Sequence, residues 1–198
     1  MAIPLGSFRG RLDVGWSDKD RRKRYRGVGI AALPTSLARY TEEAMTISAR
    51  ELTLNRLLDA PADKLYRCWT TPELLKQWFA PKPYTTPVAE IDLRVGGRCN
   101  IVMQSPEGQN IPCPGSYLEI VPDRKLVSTD AFIGDWVPKE GGPFMVMIIT
   151  FEPEGDKTRY VATVRHWSED DKKKHEAMGF HQGWGQCADQ LEKLARTL

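Results

Sequence analysis

The chain has three histidines, His166, His175 and His181, and imidazoles are the side chains best suited to move protons near neutral pH. His166 ends the run Thr158–Trp167, where it shares parity with Tyr160, Ala162 and Val164 while Arg159 and Arg165 fall on the other face. On a strand, that parity turns His166 inward, where it could donate to a ligand carbonyl or act as an acid or base. It is the one catalytic candidate; its plainer role is a hydrogen-bonded polar residue near a strand end. His175-Glu176 and His181 invite a zinc reading. The H-E-x-x-H motif, however, needs its second His four residues on, where this chain has Gly179. Imidazoles six residues apart point to different faces of a helix, so no metal is expected, and both are placed at the solvated start of the helix.

The cysteines are Cys68, Cys99, Cys113 and Cys187, with no two closer than 14 residues. Without a C-x-x-C unit, and with apolar neighbours, they are expected to be buried free thiols in a reducing compartment. No Ser/His/Asp order, Walker loop or dinucleotide fingerprint is visible, and Gly96-Gly97 reads as a turn. No cofactor is therefore expected. Glu119 and Asp130 are expected at solvated sheet positions.

The elements that must position these residues begin at Glu51–Leu58, which partly alternates polar and apolar as a half-buried strand does. Pro61 suits the start of a helix whose inner face carries Leu65 and Trp69. Thr71 and Pro72 start a second short helix with Leu74, Leu75, Trp78 and Phe79 as its apolar face, ended by Pro81 and Pro83. About six strands follow, separated by short Gly- and Pro-containing turns, which implies an antiparallel meander. From Ser168 to the end, Phe180, Trp184, Cys187, Ala188, Leu191, Leu194, Ala195 and Leu198 form one apolar stripe of a long helix, with a possible break near Gly179.

A chain of 198 residues, 41% hydrophobic, can bury one sizeable core. It has no apolar run of about 18 residues, so no membrane span is expected, and its start lacks a secretory leader pattern. Residues 1–44 hold nine Lys/Arg and five Asp/Glu, a net of +4, which leaves −2 for residues 45–198. Residues 1–44 are expected to be a disordered basic extension, or to precede the true start at Met45. Nucleic acid is expected at most through the basic run KDRRKRYR, residues 19–26.

The order of strand, two short helices, antiparallel sheet and long helix describes an α+β helix-grip fold, a curved sheet wrapped around the C-terminal helix. Residues about 48–198 resemble the START/Bet v1-like (SRPBCC) superfamily. Within it they are most similar to the group related to the activator of the Hsp90 ATPase (AHSA1-like). The resemblance rests on LDAPADKLYRCWTTPELLKQWFAP, DLRVGGRCNIVM, GSYLEIVPDRKLVSTDAF and HEAMGFHQGWGQCADQLEKLARTL. It implies a central cavity that holds an apolar or aromatic small molecule. The residues expected to line it are Trp69, Trp78, Phe79, Met103, Tyr117, Trp136, His166, Phe180 and Trp184, with Trp136 on a loop that could lid the mouth. The alternatives are a cyclase- or hydrolase-type enzyme on the same cavity with His166 as acid/base, or a co-chaperone-like interaction module. A protein partner or homodimer remains open, and a cytoplasmic location is expected.

Overall fold

The computed structural model describes residues 48–198, in the second of two units, Met1–Ala44 and Met45–Leu198. The expectations for residues 1–44, the basic run 19–26 among them, lie outside the described residues. Strand β1 (Glu51–Leu58) leads to Pro61, whose carbonyl accepts the Leu65 N–H at 3.2 Å and so opens α1 (Ala62–Thr70). Leu65, Tyr66, Cys68 and Trp69 are its buried face. Thr71 returns to extended backbone, as a residue before proline prefers, and α2 (Pro72–Leu75) starts at a new angle. The Thr71 hydroxyl makes no capping bond; its carbonyl takes the Leu74 and Leu75 N–H groups at 3.0 and 2.9 Å instead.

Seven more strands follow, one more than the turn pattern suggests: β2 (Thr85–Ile91), β3 (Cys99–Gln104), β4 (Asn110–Cys113), β5 (Ser116–Val121), β6 (Lys125–Thr129), β7 (Met145–Glu154) and β8 (Lys157–His166). The additional strand, β4, is masked in the sequence by Pro112, which sits opposite Val102 on a sheet edge where its missing N–H costs nothing. All pairs are antiparallel, in a five-stranded sheet ordered β1-β8-β7-β6-β5 and a three-stranded sheet ordered β2-β3-β4. Three backbone bonds join them where the chain turns from one to the other. Gly96 N–H donates to the Tyr117 carbonyl at 2.8 Å, Tyr117 N–H to Gly97 at 3.0 Å, and Cys99 N–H to Gly115 at 2.8 Å. Together the two sheets make the curved antiparallel surface expected.

The C-terminal segment is two helices rather than one. α3 (Glu169–Ala177) is capped by Ser168, whose hydroxyl oxygen accepts the Asp171 N–H at 3.1 Å. α4 (Phe180–Ala195) begins after Gly179, where φ of +88° stops the helix and only glycine is unstrained. α3 buries no residue, whereas α4 buries Phe180, Ala188, Leu191 and Ala195 against the sheet. The central core joins Leu58, Leu65, Leu75, Ile149, Phe151, Tyr160 and Leu191, from both sides of the sheet–helix contact. Among the described residues, no helix is long and apolar enough to cross a membrane.

Two glycines make opposite predictions for the same substitution. A Cβ on Gly97 would lie 2.1 Å from the Asp92 carbonyl oxygen, so the backbone of the sheet-joining corner would have to move. Gly185 sits inside α4 with open space around it. Gly97→Ala is expected to cost about 2 kcal/mol or more, and Gly185→Ala to stabilise by about 1 kcal/mol. Urea unfolding curves of the two variants check both signs.

Candidate functional site

The turn after α2 carries the aromatic residues of the site, and α4 holds that turn. The carbonyls of Trp78, Phe79 and Ala80 lie in the interior outside any regular element. Gln190 Nε2 donates to Trp78 and Ala80 at 2.8 and 2.9 Å, and Cys187 Sγ donates to Phe79 at 3.2 Å. In turn, Trp78 Nε1 donates to the Cys68 carbonyl at 3.1 Å, which fixes the indole against α1. Trp69, Trp78 and Phe79 then pack edge-to-face, with ring centroids 4.8 to 6.1 Å apart, as the ring quadrupoles favour.

This cluster forms one end of a pocket of about 450 Å³ between the sheet and the helices. Ile101, Met103, Ile111 and Cys113 from β3 and β4 form one wall, and Met145, Met147 and Tyr160 from β7 and β8 another. Phe180, Trp184 and Cys187 of α4 close it, and Met178, 78% exposed, stands at its mouth. The polar groups are few. Trp69 Nε1 is buried with the Tyr160 hydroxyl as its neighbouring acceptor. Asp130 is bound by the Phe144 and Met145 N–H groups (2.9 Å each to Oδ1) and by Lys139 Nζ at 2.6 Å. The carboxylate expected at a solvated sheet position is thus a half-buried loop anchor on the pocket wall. Glu119 is exposed and pairs with Lys125 at 2.8 Å.

All four cysteines are free thiols, and Cys99, Cys113 and Cys187 reach the pocket. Burial pushes Cys113 up to about 11 and Cys187 up to about 12, and raises Cys99 as well. Burial thus favours the neutral thiol over the thiolate, which is the reactive form.

The strongest polar arrangement is an imidazole pair. His166, 4% exposed, places Nδ1 3.0 Å from the Arg50 carbonyl and Nε2 2.9 Å from Nδ1 of His175. His175 is on the pocket wall and His166 lies behind it, opening instead onto a separate depression of about 210 Å³ with Arg50, Val146, Arg165 and Trp167. The rings of Phe144 and Phe180 flank His175 at centroid distances of 5.5 and 5.1 Å. Burial first, and the neighbouring His166 second, depress the His175 pKa to about 4.

Of the residues expected to line a cavity, the structure brings together Trp69, Trp78, Phe79, Met103, Phe180 and Trp184. Three are elsewhere. His166 is screened from the pocket by His175, because α3 folds back over the end of β8. Tyr117 is buried beside Cys99, outside the pocket wall, because β5 starts at the corner where the two sheets meet. Trp136, 52% exposed, is not among the residues that line this pocket. It packs on Phe132 and over Gly96, held by Asp135 N–H donating to the Gly96 carbonyl at 2.8 Å and by the Asp135–Arg94 ion pair. His175, placed at the solvated helix start from the sequence, is the site residue that reading missed. Its only signal was its position four residues before the helix-breaking Gly179. His181 is exposed on α4 against the Phe180 ring.

The model of the family described as "Activator of Hsp90 ATPase homolog 1-like protein" matches residues 59–196. No curated protein matches the chain. Among solved structures, a crystal structure of a Nitrosomonas europaea protein is similar with 39% identity and a TM-score of 0.73, covering 76% of this chain and 96% of that one. A crystal structure from Chromobacterium violaceum is 27% identical with a TM-score of 0.60, covering 74% and 96%. The solution structure of a protein of the same family from Aeromonas hydrophila shares the fold at 16% identity and a TM-score of 0.58, covering 74% and 92%.

The depressed His175 pKa has a consequence for stability. Between pH 6.5 and 4 the unfolded chain takes up a proton at this residue and the folded chain does not, so its contribution, fully present above pH 6.5, is lost as pH falls through that window. In a dry site this would amount to about 2 kcal/mol between pH 6.5 and 5; because α3 faces water, about 1 kcal/mol is expected. Unfolding free energies of the protein and of His175→Phe at the two pH values should show the slope reduced by that amount in the variant.

Proposed function

Because the chain belongs to the activator of Hsp90 ATPase homolog 1-like family, whose sheet-and-helix frame surrounds the pocket just described, we propose that it binds an apolar or aromatic small molecule there. The observation that carries this reading is the lining. A pocket of about 450 Å³ falls within the range of small-molecule sites, and its walls are aromatic and sulfur-containing side chains with a few polar groups set among them. A core built only to be stable would fill such a volume, since each cavity left open costs packing energy.

A second reading, a cyclase- or hydrolase-type enzyme on the same cavity, is favoured by the imidazole pair at its edge. In that case the group touching substrate would be His175 in place of His166. With the lining thiols held neutral, its chemistry would be proton transfer and not covalent catalysis.

Met147, on β7, faces the pocket, and a larger ring there would occupy it. The full-length protein is expected to bind 1-anilinonaphthalene-8-sulfonate with enhanced dye fluorescence. Met147→Trp should weaken that binding about tenfold or more while leaving the melting temperature within a few degrees, because the new ring fills existing space. Native mass spectrometry of the unmodified chain should show an added small-molecule mass that disappears on denaturation. Absence of dye binding, or binding indifferent to Met147→Trp, would sink the proposal.

A further inference from the structure

With both rings neutral, hydrogen-bond bookkeeping orders the protons of the imidazole pair. A carbonyl oxygen only accepts, so the 3.0 Å contact to Arg50 requires His166 to carry its hydrogen on Nδ1. The backbone N–H of His166 donates to the same carbonyl at 3.0 Å, which anchors the ring's base as well as its edge. In the neutral ring Nε2 is then an acceptor. Its partner at 2.9 Å is Nδ1 of His175, which must therefore carry the hydrogen on that bond. The remaining nitrogen, His175 Nε2, is left with a lone pair and has no protein donor among the described residues.

That lone pair belongs to a ring on the pocket wall, between Phe144 and Phe180 and near Trp184 and Met178. We propose that His175 Nε2 is the pocket's hydrogen-bond acceptor, selecting a flat aromatic ligand that carries a weakly acidic hydroxyl, a phenol or an enol, with His166 as the residue that positions it. The inference rests on the pocket-binding reading above and names its ligand class. A carboxylic acid is excluded by chemistry: ionised at neutral pH, it offers no donor and would carry a bare charge into an apolar site. An ammonium would bring charge to the same apolar surroundings. A phenol brings a strong neutral donor and a face that stacks on the flanking rings. A site with a committed acceptor discriminates against an analogue that lacks the hydroxyl far more sharply than an apolar wall discriminates shape.

The test uses 2-naphthol and 2-methoxynaphthalene, which differ only in the donor, titrated into the full-length protein by quenching of its tryptophan fluorescence. We expect 2-naphthol to bind about tenfold tighter, the value of one buried hydrogen bond. His175→Phe, which keeps an aromatic ring between Phe144 and Phe180, should bind the two probes equally. A measurement on the unmodified protein guards against a variant that does not fold. Long-range ¹H–¹⁵N correlation spectra should show His175 with a protonated Nδ1 and an unprotonated Nε2, and His166→Phe should abolish that tautomer preference while probe binding persists. Equal affinity of the unmodified protein for both probes, or a His175 protonated on Nε2, overturns this inference and leaves pocket binding standing. Failure of both probes to bind overturns the inference and the pocket reading together.

Discussion

The turn that follows α2 places three backbone carbonyls inside the protein with no strand or helix to pair them, and each one left unpaired would cost about 1–3 kcal/mol. One helix meets that demand. Gln190 reaches the carbonyls of Trp78 and Ala80, and Cys187 the carbonyl of Phe79. Because both residues are on α4, the helix that fills the concave face of the sheet also positions the aromatic end of the pocket. The geometry of Trp69, Trp78 and Phe79 is therefore as rigid as the core, although they come from a turn and the end of a short helix. The pocket is a space bounded by backbone satisfaction, and side chains determine only what it prefers.

What it prefers follows from the states of its polar groups. The thiols of Cys99, Cys113 and Cys187 are held protonated by burial. The Asp130 carboxylate is consumed by two backbone N–H groups and Lys139. The imidazole of His175 differs because its environment keeps it neutral and its bond to His166 orients it.

The loop from Gly134 to Trp136 shows how a feature that looks functional in sequence can be structural. Gly134, Asp135 and Trp136 all have positive φ, an unusual run held by bonds to the corner of the sheets. Ser116 Oγ accepts the Gly134 N–H at 2.7 Å, and Arg94 pairs with Asp135. The indole of Trp136 lies on Gly96, where no side chain could fit beneath it. Its exposure follows from this seat on the outside of the corner.

Much of the architecture was legible in the residues. The prolines at 61 and 72 marked two helix starts, strand alternation over β1 and β8 announced which faces are buried, and the stripe from Phe180 to Ala195 identified the helix that the sheet grips. These are local signals: period, capping and backbone restriction act within a few residues, so a single sequence carries them. β4 was hidden by Pro112, which is compatible with an edge strand but does not advertise one. The site was legible where side chains that line a pocket also obey core spacing, as Trp69, Trp78 and Trp184 do. It was not legible where two distant segments meet. The parity of β8 correctly turned His166 inward, yet only the fold of α3 over the end of that strand decides that His175 stands between it and the pocket. Spacing along the chain thus determined the elements and their buried faces, whereas the pairing of His166 with His175 and the pocket itself were decided by tertiary structure, because a hydrogen bond across space has no period to read.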